Sequence, residues 1–120
     1  MLRLSLALGS ALLLLATACV QPTYPQTLEF SVDTRGQSEV SSVGIRGDFA
    51  PLNWEQDLPL SDPDQDGIYT GSVVLDTPYL GTAFKCVLNG YQFELEEQPN
   101  RMVEFDKDGV TAVDVVFDQP

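Results

Sequence analysis

The sequence predicts an all-β domain, and three observations carry that expectation. Apolar and polar residues alternate with period two through most of the chain, and no stretch shows a convincing helical period. Clusters of Gly, Pro, Asn and Asp punctuate the alternation about every ten residues, as turns between short strands do.

Leu28, Phe30 and Val32 fall on one face of a first strand, with Glu29 and Ser31 on the other. Val43 and Ile45 mark a second strand that stops at Gly47. Leu58-Pro59-Leu60 is a candidate edge strand, because proline within a sheet is confined to edges and strand starts. Tyr69 to Leu75 follows, bounded by Gly67 and by Thr77-Pro78. Thr82 to Leu88 and Tyr91 to Leu95 form a hairpin about Asn89-Gly90, a dipeptide that adopts the positive φ angles of a tight β-turn. Met102 to Phe105 and Val110 to Phe117 are expected to close the chain as a second hairpin, turning near Lys107-Asp108-Gly109. Seven to eight mainly antiparallel strands of this length and spacing are the pattern of an immunoglobulin-like β-sandwich.

Residues 1–18 read as a signal peptide. Met1-Leu2-Arg3 gives a positive start, Leu4 to Leu15 an almost unbroken apolar run, and Ala16-Thr17-Ala18 a small-residue cleavage site. The apolar run is about a dozen residues, too short for a bilayer core that needs roughly 20. The residue after the cut is Cys19, and Leu15-Ala16-Thr17-Ala18-Cys19 resembles the lipobox of bacterial lipoproteins, with Ala16 where that motif usually has Leu. The resemblance implies a lipid on Cys19; an ordinary A-x-A site cut at the same bond is the alternative. Residues 19–26, with Pro22 and Pro25 among polar neighbours, read as a tether, and residues 27–120 as the sandwich domain.

The charge narrows the possible partners. Arg3 leaves with the leader, so five of the six bases face all 18 acids and the net charge moves from −12 to −13. Phosphate backbones and anionic lipid surfaces repel such a surface, which excludes nucleic acid as a partner. The chain has no histidine, which removes the commonest general base and metal ligand. There is no G-x-S-x-G elbow and no glycine-rich phosphate loop, so neither an enzyme nor a cofactor is expected. Of the two cysteines, Cys19 is spoken for if it is acylated; otherwise it is free to pair with Cys86 in an oxidising compartment. Cys86 itself alternates with Lys85 and reads as a small buried apolar residue.

One ordered set of motifs points to a family. Gly47-Asp48-Phe49-Ala50-Pro51-Leu52-Asn53-Trp54, the Leu-Pro-Leu step at 58–60, the strand near Ile68 to Leu75, Phe84-Lys85, and Pro99-Asn100-Arg101 together resemble the starch-binding and glycogen-binding modules, over about 70 residues from Val43 to Val115. In such modules aromatic rings bury the apolar face of a glucose unit while ammonium and amide groups hydrogen-bond its hydroxyls. The resemblance implies that Trp54 is the first aromatic, Lys85 the lysine and Asn100 the asparagine. The second aromatic aligns with Leu95, and the resemblance implies that a Trp at 95 restores a stacking face. Phe93 lies two residues away. Each residue also has a plain structural role open to it: Trp54 as a plug of the sandwich edge, Lys85 as a solvated lysine, Asn100 as a turn former.

Asp62-Pro63-Asp64-Gln65-Asp66-Gly67 resembles the opening of a calcium loop, with Asp62, Asp64 and Asp66 as alternating carboxylates. The twelfth position of such a loop, where a bidentate Glu belongs, is Val73, and an acidic turn launching the next strand is the favoured reading.

The expectation is therefore a non-catalytic envelope lipoprotein, membrane-bound through Cys19, whose sandwich holds α-glucan or a related polysaccharide weakly. The lipoprotein resemblance implies that, in a two-membrane cell, a chain with Val20 and not Asp after the cysteine goes to the outer membrane or the periplasmic face. The alternative is an envelope structural or protein-interaction sandwich that has lost sugar binding.

Overall fold

A computed structural model describes residues 21–120. The leader and Cys19 lie outside them. Among the described residues there are eight strands and no helix: β1 (Tyr24–Asp33), β2 (Val43–Gly47), β3 (Leu58–Pro59), β4 (Ile68–Thr77), β5 (Gly81–Leu88), β6 (Gln92–Phe93), β7 (Arg101–Glu104) and β8 (Val110–Val116). They form two sheets, one ordered β4-β1-β8 and the other β3-β2-β5-β6, with β7 also paired to β5.

The period-two pattern accounts for which faces meet. Leu28, Phe30 and Val32 of β1, Val73 and Leu75 of β4, and Val113 of β8 are buried on the inner face of the smaller sheet. Their register agrees, since Leu28 lies opposite Val73 and Phe30 opposite Val113. The larger sheet answers with Val43 and Ile45 of β2 and Phe84, Cys86 and Leu88 of β5. The Phe30 and Phe84 rings meet edge to face across the core, with centroids 5.4 Å apart and planes at 69°, an arrangement that aromatic quadrupoles favour. Cys86 is fully buried in this cluster, as its alternation with Lys85 predicts. Gly47 is obligatory where β2 passes β5, because a Cβ there would lie 2.6 Å from the Ala83 carbonyl oxygen.

Three expectations change. β1 begins at Tyr24, inside the segment expected as tether, and Tyr24 to Gln26 pair with Thr77 to Leu75. Pro25 is tolerated there because β8 joins β1 only from Thr27, so at Pro25 the strand is paired on one side alone. β6 is cut to Gln92–Phe93, because the chain turns through positive φ at Leu95 and again at Glu97.

The largest correction concerns the closing pair. β7 and β8 do not form a hairpin: β7 runs antiparallel to β5, whereas β8 runs parallel to β1 in the opposite sheet. The turn falls where expected, with Gly109 at φ 86 and Val110 N–H bound to the Asp108 carboxylate. It carries the chain from one layer to the other, held by Phe105 N–H on the Leu80 carbonyl and Thr27 N–H on the Gly109 carbonyl. A second apolar strand suits an adjacent partner and a facing sheet equally well, and the alternation cannot distinguish them.

Candidate functional site

The three residues aligned with a sugar platform stand on or beside the larger sheet. Beyond β2 the chain loops through Asp48 to Asp57, with Leu52 buried and Pro51 and Asn53 exposed. Asn53 makes the turn, its Oδ1 accepting the N–H groups of Glu55 and Gln56 at 2.8 and 2.7 Å. Trp54 follows, half-buried, and its indole Nε1–H donates to Asp48 Oδ1 at 2.8 Å. That bond fixes the ring orientation and leaves part of its surface to solvent.

Arg46 connects this loop to the sheet. Its Nε donates to Asp57 Oδ1 at 2.6 Å, Nη1 to the Trp54 carbonyl at 3.4 Å and Nη2 to the Gly90 carbonyl at 3.1 Å. Its guanidinium also lies 5.1 Å from the centroid of Phe93, a cation–π contact that occupies one face of that ring. Directly across the ladder from Arg46 is Lys85.

The Lys85 ammonium donates to the carbonyls of Leu95 and Gln98, both at 3.0 Å. A lysine has three N–H donors, so two are committed to holding the 95–98 turn. Leu95 is buried, and its N–H donates to Asp118 Oδ1 at 2.7 Å. Asn100 is exposed just after this turn, in a shallow cleft of about 340 Å³ shared with Leu95, Gln98, Pro99, Met102 and Pro120. Lys85 and the segment leading to Asn100 are thus brought together, whereas Trp54 contacts Arg46, the cross-strand neighbour of Lys85. Neither Trp54 nor Lys85 lines the Asn100 cleft.

Sequence reasoning missed a buried, fully bonded carboxylate nearby. Glu94 is fully buried. Its Oε2 accepts from Cys86 N–H at 2.8 Å and Arg101 Nε at 2.9 Å, and its Oε1 from Arg101 Nη2 at 2.8 Å and Asp118 N–H at 3.1 Å. Arg101 Nη2 reaches on to the carbonyls of Val116 and Gln119. Burial pushes the Glu94 carboxyl up, but the guanidinium and the backbone N–H groups outweigh it and hold the group below its ordinary value. The one signal in the sequence was an acid set between Phe93 and Leu95.

Asp62, Asp64 and Asp66 do converge, with one carboxylate oxygen from each within 4.8 Å of the others. The turn itself uses two of them. Asp62 accepts Asp66 N–H at 3.2 Å and Gly67 N–H at 2.8 Å, and Asp66 accepts Ile68 N–H at 2.9 Å. Burial raises the Asp62 carboxyl while these hydrogen bonds, Gly67 foremost, bring it below the usual value; Asp64 is raised, first by its contact with Asp62. The cluster stands where Ile68 pairs with Asp33, at the opposite end of β1 from Tyr24.

The fold and these residues define an all-β protein of two sheets with a polar, cross-linked outer surface on the larger one. No protein-family model matches the chain, and no curated protein matches it in sequence.

Proposed function

We propose that this chain is a non-catalytic lipoprotein of the bacterial envelope, bound to the membrane through Cys19, whose immunoglobulin-like sandwich holds α-glucan weakly against Trp54. The observation that carries the reading is the indole itself, partly exposed and pinned by Asp48. A pre-oriented aromatic face is what a glucose ring stacks on, and it forfeits little entropy on binding. Lys85 keeps one N–H for a hydroxyl, and Asn100 is exposed. With a single stacking ring the affinity is expected to be of order millimolar, about −4 kcal/mol. The chain has no histidine, which supports a role in holding a ligand rather than transforming it.

The test uses Trp54 as its own reporter, since it is the only tryptophan. Maltooligosaccharides titrated into the lipid-free Cys19→Ser chain should shift or quench its fluorescence, and Trp54→Ala should remove the response with the fold intact.

A second reading has its own observation. The Lys85 ammonium is committed to the 95–98 turn and Leu95 is in the interior, so two of the four aligned positions serve the fold. That favours an envelope structural or protein-interaction sandwich that has lost its sugar. A parent chain silent to every α-glucan, with Trp54→Ala unfolding the domain, selects this reading.

A further inference from the structure

One end of the sandwich carries an uncovered apolar tip. Leu80 is 85% exposed and Tyr79 57% exposed in the turn between β4 and β5. Phe49 stacks on Tyr79, with ring centroids 5.2 Å apart and planes at 17°, and exposed Ala50 and Pro51 adjoin it. Two backbone groups of the tip are tied back into the fold, Leu80 C=O by Phe105 N–H and Tyr79 N–H by Thr77 Oγ1.

The chain enters the fold at this same end. Tyr24, the first residue of β1 and itself 59% exposed, lies opposite Thr77, and the tip begins at the next residue. Cys19 is five residues before Tyr24, and even a fully extended chain of that length reaches only about 18 Å. A lipid on Cys19 therefore keeps this end, the one with the exposed Tyr79–Leu80 tip, within about 18 Å of the bilayer surface.

From this geometry we infer that the Tyr79–Leu80 tip, backed by Phe49, faces the bilayer and enters its headgroup boundary, so that the domain stands on the membrane instead of swinging from its tether. The inference rests on the lipid-anchored reading above. Tyrosine suits that depth, with an apolar ring and a wet hydroxyl. Asp76 near the end of β4 and Asp106 and Asp108 in the turn before β8 are exposed at this same end, and their repulsion from anionic headgroups limits the insertion to the tip.

The test is a polarity-sensitive dye on Leu80→Cys in the full lipidated chain, reconstituted into vesicles of phosphatidylethanolamine and phosphatidylglycerol. Leu80 lies outside the core, and Cys86 is fully buried with its thiol pushed up by that burial, so labelling is confined to the new site. A companion dye goes on Asp64→Cys at the far end. The Leu80 dye should shift to the blue and be quenched by lipids brominated in their acyl chains, while the Asp64 dye does neither. Vesicle-bound chain in which both dyes emit as in water overturns the inference and leaves the anchor standing. If Cys19→Ser sediments with membranes as the parent does, the anchor has failed and the inference falls with it.

Discussion

Arg101 and Glu94 form a bidentate ion pair with contacts of 2.9 and 2.8 Å, closed over by the final residues of the chain. Arg101 opens β7, and Glu94 follows β6 with its N–H on the Cys86 carbonyl. Through Arg101 Nη2 and Asp118 the pair also holds the carbonyls and N–H groups of residues 116–119. One guanidinium thus ties two strands and the C-terminal segment to a carboxylate that has no other exit to water.

Removing one partner leaves the other charge buried and uncompensated. Glu94→Ala and Arg101→Ala should each cost about 3–5 kcal/mol, and the double variant less than their sum. Urea unfolding of the four proteins of this cycle measures it.

The pair also sets a pH dependence. Glu94 is held below its ordinary pKa in the fold, so the unfolded chain binds the proton more tightly. The stability this contributes is complete above the unfolded value of about 4.3 and is lost as pH falls through the folded value. Asp33, lowered to about 2 by its hydrogen bonds with Arg35, acts in the same direction between its ordinary value of 3.8 and about 2. Glu94→Gln should flatten the decline of stability below about pH 4, read as midpoints of urea unfolding across pH.

Lys85→Met should lose the two contacts to the Leu95 and Gln98 carbonyls. A hydrogen bond to a charged group contributes about 1.5–3 kcal/mol, and the partly exposed position places the total near the lower end. Hydrogen exchange should show the 95–98 turn opening first. A lysine serving only a sugar would leave that turn unchanged.

Leu95→Trp, which the family resemblance suggests as a second stacking face, should instead destabilise the domain by about 1–3 kcal/mol. Leu95 is 2% exposed, and the larger ring has no room there. Thermal unfolding of the variant decides between the two outcomes.

Calcium should leave the melting temperature unchanged, because the turn already uses Asp62 and Asp66 on its own N–H groups. A site filled at a hundredfold excess over its Kd would add about 2.7 kcal/mol. Melting with millimolar calcium and with chelator would reveal a gain of that size.

The strands were legible because burial writes itself as alternation. Leu28-Phe30-Val32 and Phe84-Cys86-Leu88 each mark an inner face, and Asn89-Gly90 fixes the one tight hairpin, with both residues at positive φ. Alternation records which side of a strand is buried but not which strand lies beside it. For that reason the pairing of Val110–Val116 with β1 was out of reach. The candidate site was less legible for a related reason. Lys85 and Asn100 were marked by their motif, but the use Lys85 makes of backbone carbonyls depends on a turn at Leu95 and Glu97 that no composition rule demands. Glu94 and Arg101 were visible as charges and invisible as a pair, since a contact closed by tertiary packing leaves no spacing rule.

The parallel pairing of β8 with β1 has a kinetic consequence. Among the described residues, the central strand of the smaller sheet is the first in the chain and one of its two neighbours, β8, is the last. A chain emerging from its N-terminus carries Leu28, Phe30 and Val32 for nearly its whole length before Val113 arrives to complete their face. Closing that sheet means bringing together the first and last described strands, a long-range parallel pairing of the kind that forms slowly. Until residues 110–116 join it, β1 is paired on one side alone, by β4.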